Sequence, residues 1–333
     1  MISVVITVYN REKYIAECLD SVINQTYSDI EILCVDDVST DRSYEILQQY
    51  AAKDSRIRLF RNEKNSGAQV SRNLALKEAR GEYIIYIDDD DWLSLDCLEQ
   101  CMKEFRENPE VDCIALRDIR VNADGTMYEP EGRQEFKKAA GEQAFLWSMP
   151  WQISGCFVCT TDLQRRCPWD NSCRNFGDEN TGRSMLLHAR CVLLSKGIYY
   201  YRMLDDSVSH KLSMGQFTRL EAQRAFARQL RHEGIKKELL AAYEKFSWLN
   251  VISAYMYFFE NRDSLNDTQK AEALALIRTA RRDIDFSLVP CSMKYKFGYA
   301  PFLCSCLASF GSWSLFRLQE ELYFFLRRLI FKH

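Results

Sequence analysis

The feature of this sequence that most constrains its fold is an apolar run that ends in four consecutive aspartates. Residues 83–87 (YIIYI) have the short, β-branched pattern of a buried strand, and Asp88, Asp89, Asp90 and Asp91 follow directly. Four adjacent carboxyl groups cannot all be buried and ionised without a compensating cation. We therefore expect the strand to bring these carboxylates to the edge of a sheet, where Mg²⁺ or Mn²⁺ binds them together with a substrate phosphate. A solvated acidic turn that caps the next helix is the alternative.

Short apolar runs alternate with segments of helical periodicity through the first third of the chain. The predicted strands span residues 2–8, 30–35, 57–60, 83–87 and 111–121, and the predicted helices span residues 12–24, 41–52, 68–79 and 95–105. This alternation indicates an α/β protein with a doubly wound, mainly parallel sheet. Ligands of such sheets bind beyond the carboxyl ends of the strands, so the polar residues at those ends should meet at one edge. Those residues are Tyr9, Asn10, Asp36, Asp37 and the four aspartates 88–91.

Motifs and composition argue against several function classes. No GxGxxG or Walker A sequence follows a predicted strand, so neither a Rossmann dinucleotide site nor a P-loop is supported. The formal net charge of −3 gives no indication of nucleic-acid binding. The 13 cysteines are scattered along the chain. Without a visible secretory signal we expect them to be reduced and the protein to be cytoplasmic. No uninterrupted apolar stretch reaches the roughly 18–20 residues of a membrane span.

The last third of the chain changes character. Residues 1–213 are expected to form one α/β domain, with a regular half at 1–120 and a less regular half at 121–213. Residues 214–333 are expected to form a helical C-terminal region. Its predicted helices span residues 217–233, 236–260, 267–284 and 315–330. The last of these is amphipathic, so it packs in a core, binds a partner such as a second copy of the chain, or lies on a membrane surface.

Four short motifs stand in order in the first hundred residues. They are residues 2–10 (ISVVITVYN), 35–41 (VDDVSTD), 65–73 (NSGAQVSRN) and 81–92 (GEYIIYIDDDDW). Together they resemble the motifs of the family 2 glycosyltransferases, which are bacterial-type inverting enzymes with the GT-A fold. The resemblance is strong over residues 1–120, weaker to about residue 210 and absent beyond. It implies that the regular half binds a nucleotide-sugar and that the less regular half binds the acceptor.

The resemblance implies that the donor, most often a UDP-sugar, binds at the sheet edge described above. Asp37 matches the acid that accepts the uracil N–H, and Asp90 matches the direct ligand of Mn²⁺ or Mg²⁺. The other positions implied to contact the donor or the waters of the ion are Thr7, Tyr9, Arg72, Asp88 and Asp89. Structural alternatives exist, because Asp37 could cap a helix, Tyr9 could pack in the core and Arg72 could be a solvated helix residue. Thr7 stands where the family usually has a proline.

The implied reaction needs a general base, and the sequence offers two candidates. An acceptor hydroxyl attacks the anomeric carbon of the donor, and a carboxylate takes its proton. The family places this carboxylate in a Gly-Glu-Asp segment before a helix, whereas this chain has Gly177, Asp178 and Glu179, with the two acids exchanged. The register favours Glu179 as the base, and Asp178 serves instead if the loop shifts. If neither acts, the chain is an inactive relative.

The sequence therefore predicts a metal-dependent, inverting glycosyltransferase that extends a glycan or lipid-linked acceptor in bacterial surface polysaccharide synthesis. Such an enzyme would work at the inner face of the cytoplasmic membrane. Trp151 and Trp169 are candidates to stack on acceptor sugars, with burial in the core as the alternative. A sugar nucleotidyltransferase is disfavoured because no glycine-rich loop follows the first strand. An inactive relative that binds a nucleotide-sugar or a partner stays open because the two acids are exchanged.

Overall fold

The structure is a computed structural model that describes residues 1–173, 176–204 and 214–290. It also describes Met293 and the helical residues 313–314, 317–318, 321–322 and 324–326. The chain divides into two compact units, Met1–Ser207 and Val208–His333. The boundary expected from the sequence, at residue 213, falls within residues 205–213, which lie outside the described part.

The first unit is built on one mixed sheet. Its strands are β1 (Ile2–Val8), β2 (Ile30–Asp36), β3 (Ile57–Arg61), β4 (Tyr83–Asp88), β5 (Trp92–Leu93), β6 (Cys113–Val121), β7 (Met127–Tyr128), β8 (Lys138–Ala140), β9 (Phe157–Thr160) and β10 (Cys191–Arg202). Within the described residues they follow the order β3-β2-β1-β4-β9-β6-β10-β5, with β7 beside β6 and β8 beside β10. The longest pairings are parallel, whereas β9 runs antiparallel between β4 and β6. The predicted mainly parallel sheet is confirmed.

Helices with one apolar face cover this sheet. Every residue of β1 and β2 is buried, as in strands that are covered on both sides. In the first helix Ile15, Cys18, Leu19 and Val22 are buried at helical spacing. The helices of the unit are α1 (Ile15–Ile23), α2 (Ser43–Ala51), α3 (Ala68–Glu78), α4 (Cys97–Glu107), α5 (Gly141–Ser148), α6 (Thr161–Arg166) and α7 (Gly177–His188).

The strand register brings the predicted site residues to one edge of the sheet. Thr7, near the end of β1, pairs with Val35 of β2 on one side and with Asp88 of β4 on the other. Because these strands are parallel, their carboxyl ends are level, and Tyr9, Asp37 and the aspartate run follow at the same edge. The expected clustering of polar strand ends is confirmed.

The first two helices begin later than the sequence pattern predicts. The predicted starts were residues 12 and 41, whereas α1 begins at Ile15 and α2 at Ser43. The intervening residues bind each other across the edge instead of joining their helices. The Arg11 N–H donates to Ser43 Oγ at 2.8 Å, and the Arg42 N–H donates to Glu12 Oε2 at 3.0 Å. These bonds tie together the loops that follow β1 and β2.

The second unit is helical, as predicted. It contains α8 (Gly215–Glu233), α9 (Lys237–Asn261), a 3₁₀ turn (Arg262–Ser264) and α10 (Asp267–Asp283). Its core includes the buried rings of Phe217, Trp248 and Tyr255. The predicted helix 315–330 lies partly outside the described residues, and its described positions are helical. No helix in the described parts of the chain combines the length and the apolar character that crossing a membrane requires.

Candidate functional site

The four aspartates at the end of β4 have different environments. The Asp88 side chain is 45% exposed. Those of Asp89 and Asp90 are mostly shielded, and Asp91 is buried. One short stretch therefore supplies an open carboxylate, a shielded pair and a buried carboxyl group.

Asp91 joins the aspartate run to β10. The Tyr199 hydroxyl donates to Asp91 Oδ2 at 2.8 Å, and the Arg202 N–H donates to Asp91 Oδ1 at 2.8 Å. The same hydroxyl accepts the Asp88 N–H at 3.1 Å, and Arg202 Nε donates to the Asp90 carbonyl at 2.9 Å. Burial raises the pKa of Asp91 well above its ordinary value. The end of β10 thus fixes the backbone that presents Asp88, Asp89 and Asp90.

Asp89 and Asp90 face a cation that sequence reasoning missed. Arg11 Nε lies 3.2 Å from Asp90 Oδ2 and 3.5 Å from Asp89 Oδ1. The Tyr9 N–H also donates to Asp89 Oδ2 at 2.9 Å. Even so, burial and then repulsion from Asp90 raise the pKa of Asp89 to about 8. Burial and then repulsion from Asp88 raise the pKa of Asp90. The signal in the sequence was the position of Arg11 directly after the Tyr9-Asn10 strand end.

The shielded pair suits a hard divalent cation. Mg²⁺ and Mn²⁺ prefer carboxylate oxygens. Burial and then repulsion between the aspartates raise the pKa values of Asp89 and Asp90 even beside Arg11, and a bound cation would favour their ionised forms. Across the described residues, no three or more His, Cys, Asp or Glu side chains form a group that could hold a metal ion. The arrangement therefore fits an ion held by one or two carboxylates and completed by substrate oxygens.

The donor-side candidates Thr7, Tyr9 and Asp37 lie around the ends of β1 and β2. Thr7 is buried beside Asp88, whereas the Tyr9 side chain is exposed. Asp37 is 3% exposed, and its N–H donates to the Val8 carbonyl at 2.8 Å. The structure therefore brings all three residues to the edge that carries the aspartate run.

The Asp37 carboxylate organises the loop before α3. Its Oδ1 accepts Asn62 Nδ2 at 2.6 Å and the Ser66 N–H at 2.9 Å, and its Oδ2 accepts the Gly67 N–H at 2.8 Å. The next residue, Val38, has φ of 64°, which is an outlier for a β-branched residue. Such a conformation persists where the surrounding structure holds it and is typical of ligand-binding loops.

Arg72 links the open aspartate to Trp169 and to the start of α7. Its guanidinium forms an ion pair with Asp88 and lies 4.3 Å from the ring centre of Trp169. Burial alone would lower the pKa of Arg72, but the charges of Asp88 and then Asp178 raise it. Arg72 is therefore flanked by one carboxylate from β4 and one from α7.

The two candidate bases point to different surroundings. Asp178 is exposed, yet nearby protein desolvates its carboxyl group and raises its pKa. Arg72 opposes this rise in the pKa of Asp178, and the charges of Glu179 and Asp88 add to it. Glu179 is 10% exposed and accepts Arg183 Nη1 at 3.1 Å. Asp178 thus has solvent access beside Arg72, while Glu179 is engaged in a buried ion pair within its own helix.

The start of α7 is held against the loop around residue 170. A side chain at Gly177 would place its Cβ 2.0 Å from the Asp170 carbonyl oxygen, so glycine permits this approach. Asn180 Nδ2 donates to Asp170 Oδ2 at 2.7 Å. Asn73 of α3 accepts the Trp169 N–H at 3.0 Å and donates to its carbonyl at 2.8 Å. These contacts position Asp178 relative to α3, which carries Arg72.

The two candidate stacking tryptophans have different roles in the structure. Trp169 packs inside the site, with Arg72 over its ring and Tyr86 edge-on at 4.7 Å between ring centres. Trp151 is 46% exposed, and the Arg183 guanidinium lies 5.6 Å from its ring centre. Trp169 is thus a packing residue, whereas Trp151 retains an open surface.

Comparison with known proteins gives consistent matches. The glycosyl transferase family 2 model matches residues 3–165. The chain is 31% identical over 222 residues to glycosyltransferase GlyG of Streptococcus pneumoniae, covering 62% of this chain and 72% of GlyG. It is also 31% identical to the uncharacterized glycosyltransferase EpsJ of Bacillus subtilis, covering 63% of this chain and 63% of EpsJ, which is less than two thirds of that relative's length.

Two solved structures share the fold. S. aureus TarS 1–349 in complex with UDP-GlcNAc superposes with a TM-score of 0.71 at 20% identity, covering 97% of this chain and 91% of TarS 1–349. A mannosyltransferase from Pyrobaculum calidifontis with GDP-Man and Mn²⁺ gives a TM-score of 0.55 at 14% identity, covering 99% of this chain and 87% of that one. The fold expected from the sequence is confirmed. The chain has the GT-A fold and belongs to glycosyl transferase family 2.

Proposed function

We propose that this glycosyltransferase moves a sugar from a UDP-sugar to a hydroxyl group of a glycan or lipid-linked acceptor, with inversion at the anomeric carbon. The observation that carries the proposal is the position of Asp178. Its exposed carboxyl group interacts with Arg72, which also binds Asp88 at the end of β4. A proton acceptor and a carboxylate cluster suited to a metal ion thus flank one cation. The UDP-GlcNAc complex of TarS supports the choice of donor class.

Asp178 acts as the general base in this proposal, in place of the Glu179 favoured by sequence register. A base must reach the acceptor hydroxyl, and Asp178 is exposed where Glu179 is shielded. The Glu179 carboxylate is held in an ion pair by Arg183, which directs it away from an incoming hydroxyl group. The raised pKa of Asp178 makes its carboxylate a stronger base than an ordinary aspartate. The side chain is also the one that the family normally uses for this step.

The aspartate run and Arg72 hold the donor. We assign the metal to Asp90, with Asp89 beside it and Asp88 directed to the ribose or to waters on the ion. When bound, a divalent ion supplies positive charge opposite the departing diphosphate. Arg72 keeps Asp88 in place by its ion pair and adds a second positive charge near the same group. The Mn²⁺ complex of the structurally similar mannosyltransferase supports a divalent ion.

Asp37 contributes to the nucleoside pocket mainly by fixing its walls. Its carboxylate already accepts three hydrogen bonds from residues 62–67. Because each carboxylate oxygen can accept about two bonds, Oδ2 retains capacity for the N–H of a uracil ring. Thr7 and Tyr9 line the same pocket from the end of β1.

The second unit supports one further part of the proposal, namely that the acceptor is associated with a membrane. Leu318, Leu322 and Phe325 are exposed and recur at helical spacing. We propose that this stripe contacts a membrane surface that carries a lipid-linked acceptor. A second copy of the chain is the alternative occupant. Co-flotation of the full chain with anionic vesicles tests the lipid contact, and ultracentrifugation tests self-association. A Leu322→Asp variant is compared with the wild type in both measurements.

The donor assignment is tested by calorimetric titration with UDP, GDP and CDP, with Mn²⁺ or with chelator. We expect UDP to bind only with the metal, and Asp90→Asn to weaken binding by about tenfold or more. Asp29→Asn is the matched control, because Asp29 is an exposed aspartate just before β2, at the opposite edge of the sheet. UDP binding that survives both chelation and Asp90→Asn would contradict the metal site. Binding of none of the three diphosphates to folded protein would contradict the proposed function.

A further inference from the structure

Trp151 is an exposed aromatic residue held in a strained backbone conformation. Its side chain is 46% exposed, although large aromatic side chains usually bury most of their surface. Its φ of 58° lies in the left-handed region, which bulky side chains rarely occupy. A strained residue of this kind persists only where surrounding contacts impose it, and such residues concentrate at ligand-binding sites.

The backbone around Trp151 is braced by an arginine whose side chain is mostly shielded from solvent. Arg133 Nη1 donates to the Trp151 carbonyl at 2.5 Å and to the Ile153 carbonyl at 3.1 Å. The other end of the guanidinium forms an ion pair with Asp118, which is buried on β6. The Gln152 N–H also donates to the Trp147 carbonyl at 2.9 Å. The indole is therefore presented from a fixed turn.

The ring lies beside α7, the helix that carries the proposed base. Arg183 lies 5.6 Å from the ring centre and binds Glu179, whose neighbour in α7 is Asp178. The turn leads into β9, which lies beside β4 on the side away from β1 and β2. The nucleoside residues follow β1 and β2, so Trp151 and the nucleoside pocket lie on opposite sides of the aspartate run.

We propose that Trp151 is the stacking platform of an acceptor-sugar subsite, an inference that rests on the proposed glycosyl transfer. Sugar rings have an apolar C–H face, and a rigid, exposed indole gives such a face a large contact area at little entropic cost. A pyranose on this ring would lie beside α7, which carries Asp178. Because a stacked ring is recognised by shape, Trp151 sets the affinity for a cyclic sugar acceptor. It does not affect the donor affinity, because the nucleoside pocket lies on the other side of the aspartate run.

The test is saturation-transfer difference NMR with methyl β-glucoside, methyl β-galactoside and methyl N-acetyl-β-glucosaminide, in the presence of UDP and Mg²⁺. At least one glycoside should show transfer to its ring C–H protons with the wild type. That signal should fall about tenfold in Trp151→Ala and stay within about threefold in Trp151→Phe. Leu95→Ala is the matched control, because it removes a comparably exposed apolar side chain elsewhere on the unit.

Calorimetric titration with UDP and Mg²⁺ is run on the same proteins. UDP affinity should be equal in wild type and Trp151→Ala, which also shows that the variant is folded. A glycoside signal that persists in Trp151→Ala overturns the subsite, as does the absence of any signal from the wild type while UDP still binds. A loss of UDP affinity in Trp151→Ala would place the ring in the donor pocket and also overturn it. Failure of the wild type to bind UDP would instead contradict the proposed function.

Discussion

Arg11 contacts both of the aspartates that we assign to the metal ion, so its charge and that of the ion compete for the same oxygens. The guanidinium lies 3.2 Å from Asp90 and 3.5 Å from Asp89. It opposes the rise in the pKa of both carboxyl groups, which comes first from burial and then from repulsion between the aspartates. A cation fixed at this place stabilises the carboxylate pair without the metal and lowers the affinity of the pair for it.

Replacing this arginine should therefore strengthen metal binding. We expect Arg11→Gln to increase the affinity for Mn²⁺ in the absence of UDP by about three- to tenfold, because the carboxylate pair keeps its charge and loses its competitor. The measurement is free Mn²⁺ by electron paramagnetic resonance. Arg42→Gln, an exposed arginine beside Glu45, is the control and should leave the affinity unchanged. Unchanged or weaker Mn²⁺ binding by Arg11→Gln would contradict the competition.

The charges around Asp178 predict how its ionisation responds to substitution. Its pKa is raised by desolvation, lowered by Arg72 and raised by Glu179. The base is active when ionised, so kcat should fall as the pH drops through a pKa above that of an ordinary aspartate, near 3.9. Arg72→Gln removes the stabilising cation and should move this acid limb to higher pH. Glu179→Gln removes a like charge and should move it to lower pH.

The pH profile is measured as UDP release at saturating UDP-sugar, so that weaker donor binding by Arg72→Gln does not obscure it. The two variants are controls for each other, because the expected shifts of the acid limb have opposite signs. General damage to the site would not move the limb to higher pH in one variant and to lower pH in the other. Shifts of the same sign in both variants, or none in either, would contradict Asp178 as the titrating base.

The residues of the site were predictable from sequence to different degrees. Asp37, Asp88 and Asp90 follow strand ends in a recognisable pattern, so the sequence alone brings them to one edge. Arg11 directly follows Tyr9 and Asn10 at a strand end, but nothing in the sequence points to its partners, which lie 78 and 79 positions further along the chain. The choice between Asp178 and Glu179 depends on which way α7 faces, and two adjacent acids at a helix start carry no signal for that.

At the scale of elements, α7 places the proposed base, and its first residue sets how closely it approaches the loop around residue 170. Gly177 lies against the Asp170 carbonyl, where an added Cβ would be 2.0 Å from the oxygen. In the middle of the same helix, a Cβ at Gly182 would meet its nearest neighbour, Phe157, at 3.5 Å, an ordinary contact. The packing therefore requires glycine at position 177 and has room for a Cβ at position 182.

This difference gives a paired prediction for stability. Gly177→Ala should destabilise the first unit by about 1–3 kcal/mol, because backbone must move to admit the methyl group. Gly182→Ala should be neutral or stabilising by up to about 1 kcal/mol, because alanine favours the helical backbone. Urea unfolding followed by circular dichroism measures both. Equal effects of the two substitutions would show that the approach of Gly177 to Asp170 is not maintained in solution.

The order of elements was predictable, whereas several ends were not. Apolar periodicity identified the first four strands and the helices between them because burial determines that pattern. The starts of α1 and α2 were misplaced because Arg11, Glu12 and Arg42 bind across the sheet edge. Those bonds are long-range, so the helical periodicity of either segment gives no sign of them.

At the scale of the whole molecule, the family resemblance lies in the first unit, and so do the residues that we assign to the reaction. The family model covers residues 3–165, and Asp178 lies just beyond it. The assigned donor residues follow regular parallel strands, whereas the acceptor half has short strands and long connections that follow no common pattern. The donor residues could therefore be proposed from the sequence, whereas the choice of Asp178 as the proposed base rests on packing that the sequence pattern does not encode.

The central claim is that Asp178, and not Glu179, takes the proton from the acceptor. The most direct measurement compares UDP release from a panel of UDP-sugars, with the methyl glycosides named above as acceptors, by wild type, Asp178→Asn and Glu179→Gln at saturating donor. We predict that Asp178→Asn lowers kcat by about 10²–10⁴-fold and Glu179→Gln by less than about tenfold, with UDP and Mn²⁺ binding retained in both. The opposite result would contradict this account: a kcat lower by about 10²–10⁴-fold in Glu179→Gln, together with an active Asp178→Asn variant.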